Sequence, residues 1–275
     1  MLIHTSIAAL RAARAQAGRV AFVPTMGNLH DGHIALIHAA RKHANTVIAS
    51  IFVNRLQFGQ NEDFGKYPRT FEADCERLIA AGVDHLFAPD EAEMYPQPQR
   101  YYVTPDPACA SILEGAFRPG HFQGVATVVL KLFNIVQPDA ALFGKKDYQQ
   151  IIVLKNMTRE LALPIEFIAQ DTIRAADGLA QSSRNGYLSA NERAEAPRLY
   201  RQLTAVAEAV RNGARNFASL ETAALAELQQ HGWMPDYLTV RRRADLQAPE
   251  EPGEPLVALA AARLGTTRLI DNIEI

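Results

Sequence analysis

Cysteine, charge of one sign and long apolar runs are what this sequence is short of, and each scarcity excludes a class of protein. Cysteine occurs only twice in 275 residues, at Cys75 and Cys109, in separate predicted elements. That excludes a disulfide-stapled secreted scaffold and leaves two plain thiols, which behave as small hydrophobes. Acidic and basic residues nearly balance, 30 against 28, for a formal net charge of −2. A protein held to nucleic acid by backbone electrostatics would carry a basic excess, so any anionic ligand must be met here by particular residues. No stretch approaches the ~20 apolar residues that span a bilayer. The N-terminal MLIHTSIAALRAARAQAG also lacks the long apolar core of a signal peptide. The expectation is a soluble, cytoplasmic protein with neither nucleic-acid nor membrane partners.

What is present is an alternation of strand and helix patterns. RVAFVPT (Arg19–Thr25) is a short apolar run that reads as a buried parallel strand. HIALIHAARKHA, with Ile34, Ile37 and Ala40 at helical spacing, follows it, and TVIASIFVN (Thr46–Asn54) is a second buried strand. The three form a βαβ unit with a right-handed crossover. A helix over TFEADCERLIAAG has Thr70 as its cap and Gly82 as its stop. VDHLFAP is a third strand, YYVTP an edge or hairpin strand, and GVATVVLKLFNIVQ a buried-face helix halted by Pro138. AALFG, a helix through YQQIIVLKNMTRELA, and IEFIAQDTI (Ile165–Ile173) complete the series. The rhythm predicts an α/β fold with a Rossmann-like, doubly wound parallel sheet over residues 1–185. Beyond DGLAQSSRNGYLS, two helical stretches precede the β-rich DYLTVRR, LVALAAARLG and TRLIDNIEI, a small α+β domain over residues 186–275. The proline- and glutamate-rich APEEPGEPL is a loop between its strands.

Three segments carry the chemistry. MGNLHDGH joins a strand end to a helix start, where unpaired amides and the helix dipole favour a phosphate. Gly27 and Gly32 permit close approach of a ligand, and His30 and His33 can reach one anion from the same side. A histidine there can donate to phosphate and stabilise charge as pyrophosphate leaves. A strand–helix turn with incidental histidines, or a metal held by His30, His33 and His38, are the other readings at this point. GKKDYQQ, after the AALFG strand, lies at the same carboxyl edge, where open α/β sheets bind ligands. Its Lys146 supplies a point charge to phosphate, Asp147 can cap the helix or orient a ribose or magnesium, and Gln150 sits one turn on, while Lys145 reads as solvated. DGLAQSSRN brings Ser182, Ser183 and Arg184 together on a small, polar loop suited to closing over a triphosphate, with an ordinary linker as the alternative. NRLQFGQ (Asn54–Gln60) offers Gln57 to a hydroxylated acid, and RPGHFQGV places Arg118 and His121 before a helix. The Arg241–Arg243 run reads as a solvated or interface face.

Taken in order, FVPTMGNLHDGH, SIFVN with QF, YPRT, RPGHFQGV, FGKKDYQQ, DGLAQSSRNGYLS and the terminal LIDN resemble the pantothenate synthetase (pantoate–β-alanine ligase) family over essentially the whole chain. In its first domain that family is similar to class I aminoacyl-tRNA synthetases and nucleotidylyltransferases. The resemblance implies a carbon–nitrogen ligase that uses ATP as a substrate, with Mg²⁺ assisting, to join (R)-pantoate to β-alanine through a pantoyl adenylate. It also implies a homodimer. Carried over residue by residue, Met26, Gly27, Asn28, Leu29, His30, Asp31, Gly32 and His33 contact ATP, as do Gly144, Lys145, Lys146 and Asp147. Ile173 meets adenine through its backbone, and Gln181, Ser182, Ser183 and Arg184 form the closing loop. His33, His30, Lys146 and Arg184 are the catalytic set. Gln57 and Gln150 hold pantoate, with Gln57 also where β-alanine arrives, and the small domain closes over the active site. Two departures stand out: Arg55-Leu56 replaces the family's usual Pro-Met beside Gln57, and Lys145 replaces its usual Glu.

Overall fold

Residues 1–59 and 64–275 are described in the computed structural model. They form two compact units, Met1–Lys145 with Val153–Asp171, and Lys146–Ile152 with Thr172–Ile275.

The first unit is built on six parallel strands: β1 (Leu2–His4), β2 (Val20–Thr25), β3 (Thr46–Ile51), β4 (His85–Phe87), β5 (Ala140–Gly144) and β6 (Glu166–Gln170). Their order is β1-β4-β3-β2-β5-β6, so the winding reverses where β2 lies beside β5. That reversal is the place in a doubly wound sheet where the loops leaving two strands part and a ligand can enter. Val20, Ala21, Phe22 and Val23 are buried in succession along β2, as expected of a strand covered on both faces. The helices of this unit are α1 (Ile7–Arg14), α2 (Asp31–Ala40), α3 (Phe71–Ala80), the short α4 (Glu91–Met94), α5 (Pro107–Ala110) and α6 (Glu114–Phe117), then α7 (His121–Val136) and, from Val153 on, α8 (Tyr148–Glu160). Leu36 and Ile37 of α2 and Leu78 of α3 meet Val47, Leu86 and Leu142 in one continuous core. Along α7, Val125, Val128, Val129, Leu132 and Val136 are buried, and Gln137 in the left-handed region ends the helix ahead of Pro138.

Two expectations for this unit fail on particular residues. Tyr101–Pro105 is not a strand: Val103 N–H donates to Thr127 Oγ1 at 3.0 Å instead of to a ladder. Thr70 does not cap α3, because its hydroxyl donates to Asp74 Oδ2 at 3.1 Å. In addition, β1 pairs at the sheet edge although its three residues are too few to show any alternation.

The second unit contains α9 (Ala190–Glu195), α10 (Arg198–Arg211) and α11 (Phe217–Gln230), followed by the antiparallel strands β7 (Trp233–Arg242), β8 (Leu256–Leu264) and β9 (Thr267–Glu274). A capping box starts α9, with Ser189 and Glu192 exchanging bonds across its first turn. Ala258, Ala260 and Ala262 of β8 add little volume, and Leu199, Leu203 and Val206 of α10 pack into a core with Trp233 and Leu228. The APEEPGEP segment connects β7 to β8 without regular structure. The second unit takes in Thr172–Asn185, ahead of the boundary expected at 185/186, because Arg174 is bonded to Asp271 and forms a bridge with Ala180.

Candidate active site

The MGNLHDGH turn leaves β2 at the winding reversal. Gly27 has φ +83° and Asn28 φ +50°, two successive left-handed residues. A side chain at Gly27 would be strained and would meet Asp74 Oδ2 at 3.1 Å, which accounts for the glycine. The reversed backbone gives the Asn28 and Leu29 N–H groups to Asp74 Oδ2 and Oδ1 at 2.9 and 2.8 Å. Gly27 N–H donates to Thr25 Oγ1, and His33 N–H to the His30 carbonyl. His30 caps α2 by accepting Gly32 N–H at Nδ1, 3.1 Å, while His33 accepts His30 N–H at its own Nδ1, 3.3 Å.

This narrows the expectation of an amide cradle. The amides of Gly27, Asn28, Leu29, His30, Gly32 and His33 are committed inside the protein. An imidazole that accepts at Nδ1 carries its proton on Nε2, and the two rings lie 4.1 Å apart.

Gln57 lies on a 3-10 turn, Arg55–Gln57, after β3. Its Nε2 approaches Met26 Sδ at 3.2 Å, and its Oε1 accepts from Asn54 Nδ2 at 3.0 Å. Asn54 is buried, donates to the Gly124 carbonyl and accepts Tyr95 OH at 2.8 Å. Burial pushes the Tyr95 phenol well above its ordinary range, so it remains a donor. Lys131 sits over the Tyr95 ring at 4.4 Å, and burial lowers its ammonium. A Cβ on Gly124 would fall 2.2 Å from the Leu56 carbonyl oxygen, so α7 can approach this turn only with glycine there. Arg118 and His121 support Gln57 from the start of α7. His121 Nδ1 donates to the Gln57 carbonyl at 2.9 Å, and Arg118 lies 3.0 Å from His121 Nε2. Gln60, the last residue of the NRLQFGQ segment, lies outside the described residues.

Gly144 ends β5, the neighbour of β2, at the same carboxyl edge. Lys145 is not simply solvated: its ammonium pairs with Asp171 at 2.8 Å. In the second unit, Lys146 is held by its backbone, its carbonyl accepting Asn272 Nδ2 at 2.9 Å. Asp147 is exposed, and Gln150 is half-buried. Ile173 and Gln181 are bonded to each other across a hairpin, Gln181 N–H to the Ile173 carbonyl at 2.9 Å. Ser182 caps the following turn at Arg184 N–H, and Ser183 and Arg184 stand on that turn. Lys146, Ser182, Asn185, Tyr200 and Asp271 line one cavity of this unit. On its wall, Asn185 Oδ1 is buried without a hydrogen-bond partner among the described residues.

Sequence reasoning overlooked Asp74, Asn54, Tyr95 and the Asp271–Asn272 pair. For Asp74 a signal existed: with Leu78 it forms the buried face of α3, and a carboxylate on such a face requires donors from elsewhere. Arg241–Arg243 is not a plain solvated face, since Arg242 pairs with Asp245 and Glu250, and Arg243 with Glu274. Both cysteines are free thiols. No described helix is long and apolar enough to cross a membrane.

Comparison with known proteins agrees with this architecture. The family model for pantoate–β-alanine ligase matches residues 2–274. The pantothenate synthetase of Chromobacterium violaceum is 58% identical over 275 residues, covering 100% of this chain and 99% of the relative. That of Neisseria meningitidis is 58% identical, covering 100% and 98%. Among solved structures, pantothenate synthetase from Thermus thermophilus superposes with a TM-score of 0.94 at 45% identity, covering 100% of this chain and 99% of that one. Pantoate–β-alanine ligase from Francisella tularensis, complexed with β-γ ATP and β-alanine, does so with a TM-score of 0.81 at 32% identity, covering 100% and 97%. With two strand-end turns, a supported glutamine and this likeness along its whole length, the chain belongs to the pantoate–β-alanine ligase family.

Proposed function

We propose that the family's joining of pantoate to β-alanine runs in this chain through a pantoyl adenylate formed on the residues described above. A pantoate carboxylate oxygen attacks the α-phosphorus of ATP, and the bond to the β-phosphate breaks to release pyrophosphate. The β-alanine amine then attacks the acyl carbon, loses a proton, and displaces AMP to leave the amide. Adenylation is the step that converts a carboxylate oxygen, a poor leaving group, into a good one.

In the first unit, His30 and His33 are the donors to phosphate. Their Nε2–H groups are aimed by the bonds at Nδ1, so they need no reorganisation as charge builds on the departing pyrophosphate. Met26 to His33 and Gly144 contact the nucleotide, and Lys145 contributes through its backbone because Asp171 holds its ammonium. Gln57 holds pantoate, its amide fixed by Asn54 and its carbonyl by His121. In the second unit, Lys146 and Arg184 supply positive charge to the phosphates, Asp147, Gln181, Ser182 and Ser183 contribute polar contacts, Ile173 meets adenine, and Gln150 holds pantoate. The loop through Arg184 closes when ATP is bound. Magnesium would arrive with the triphosphate. Its preference is for phosphate oxygens and water as ligands. The Francisella relative's ligands, β-γ ATP and β-alanine, are two of the three substrates in this reading. The family's dimer is adopted as the working assembly.

The observation that carries this reading is the paired Nδ1 bonds of His30 and His33. Pyrophosphate exchange into ATP tests it. Exchange that requires pantoate, followed by AMP release on adding β-alanine, supports the adenylate route. Exchange indifferent to pantoate would overturn it.

A further inference from the structure

The LIDN run at Leu269–Asn272 has no part in the reaction as described, yet its two polar residues are buried in β9, Asp271 at 5% exposure and Asn272 at 6%. Asn272 faces Lys146, which carries a role above, and Asp271 faces Arg174, which adjoins Ile173. The Asp271 carboxylate accepts a two-pronged bond from Arg174, Nη1 at 2.6 Å and Nη2 at 2.8 Å. Burial pushes this carboxyl up from its ordinary range, and the guanidinium opposes that shift. The same guanidinium donates to the carbonyls of Gly178 at 3.0 Å and Asn272 at 3.2 Å, and lies 3.7 Å from the centre of the Tyr200 ring. Tyr200 in turn occupies the space a Cβ on Gly178 would need. Arg174 and Ala180 face each other at the mouth of that hairpin, whose two exits are Ile173 and Gln181. Asn272 receives its orientation from Asp271, which accepts its N–H at 2.8 Å, and its side chain donates to the Lys146 carbonyl at 2.9 Å.

We propose that Asp271 and Asn272 are positioning residues for adenylation, Asp271 placing the 181–184 segment through Arg174 and Asn272 placing Lys146 through its carbonyl. The inference rests on the assignment of Lys146 and Arg184 to ATP. A buried ion pair is a poor way to gain stability alone, since a well-packed apolar pair often does as well. What the charged pair adds is direction: a forked guanidinium fixes two carbonyls and a carboxylate at once. The side-chain amide of Asn272 is likewise specific, because an aspartate there would turn an acceptor toward the Lys146 carbonyl.

The test is a double-mutant cycle in the pantoate-dependent exchange assay, using the full-length protein and ATP, with thermal melting run alongside. Asn272→Ala is expected to lower kcat/KM for ATP about tenfold and KM for pantoate to change less than twofold. In the Lys146→Ala background the same substitution should cost less than twofold, because the group it places is gone. Arg174→Lys, which keeps the charge and loses the fork, should lower kcat/KM for ATP in parallel, and this variant carries the test if Asn272→Ala does not fold. A tenfold loss in both backgrounds, or none in either, would mark Asn272 as merely structural and overturn the proposal while leaving the site assignment standing. If Lys146→Ala itself leaves adenylation unchanged, the site assignment fails, and the positioning role with it.

Discussion

The MGNLHDGH turn and the Lys146 turn both follow strand ends but are held by different means. The first is nearly self-contained. His30 and His33 cap the helix they open, and one distant carboxylate, Asp74, takes two of the turn's amides. The second is a 3-10 turn, Lys145–Asp147, that is also tied at long range: the Lys146 carbonyl is bonded to a residue 126 positions later in the chain. Local hydrogen bonding suits a turn that must keep one shape, and long-range bonding couples Lys146 to the last strand of its unit. The two turns should therefore fail differently.

The largest effect is expected at His33. His33→Asn retains an acceptor near Nδ1 and loses the Nε2–H, whereas His33→Gln can reach the Nε2 position and loses the cap. If the outward N–H does the chemistry, the Asn variant should lose about 10²–10³ in kcat, the scale for one preorganised donor, and Gln should recover part of it. Rapid-quench measurement of adenylation decides, and equal losses in both variants would mean that capping alone matters.

Next comes Asp74→Ala, which strands the amides of Asn28 and Leu29. A stability loss of about 3 kcal/mol is expected from a buried and a half-buried amide that lose a charged acceptor. An adenylation loss of about 10²-fold is expected from a displaced turn. Asp74→Asn, keeping one carbonyl acceptor, should fall between. Calorimetry with the exchange assay checks both. Normal activity in the Ala variant would show the turn to be wholly self-supporting.

In the second unit, Gly178→Ala adds a side chain at φ +94° and 2.5 Å from Tyr200. The expected penalty is about 1–3 kcal/mol from overpacking, on top of the left-handed strain. KM for ATP should rise without an equal change for pantoate, a split that steady-state kinetics reveals.

The smallest effect separates the units by acid. In the first, burial and then His85 hold His4 below its ordinary 6.5. A histidine kept neutral by the fold supplies stability above that value, which is lost as pH falls below it. In the second, burial raises Glu195, but the Arg198 and Trp233 donors outweigh it and hold the group below its ordinary 4.5. That contribution persists above 4.5 and is lost as pH falls through the lowered value. The chain's one tryptophan, Trp233, lies in the second core and reports on that unit. Between about pH 7.5 and 5.5, a window spanning the ordinary histidine value, melting followed by far-UV circular dichroism should shift while the Trp233 fluorescence transition holds, and His4→Gln should abolish the shift.

The parallel sheet was legible because β2, β3 and β5 are continuous apolar runs between helical patterns, and such runs require cover on both faces. YYVTP misled because its aromatics and β-branched residues suit a strand, while the Thr127 hydroxyl takes the amide a ladder would use. Thr70 misled for a similar reason, its hydroxyl being drawn to Asp74 rather than to its own helix. Arg118 and His121 had the composition of an anion site, and nothing local announced that the Gln57 carbonyl would lie against them.

By itself the sequence determined the alternation of β2, β3, β5 and β6 with their helices, the family, and the histidines and lysine at the strand ends, since these depend on periodicity and motif within short stretches. Only the tertiary structure decided how those residues are held. It turned the Asn28 and Leu29 amides inward to Asp74, set both imidazoles with Nδ1 as acceptor, and bound the Lys146 turn to Asn272. Hydrogen-bond partners far apart in the chain settle such matters, and a donor's direction is fixed only when its acceptor is in place.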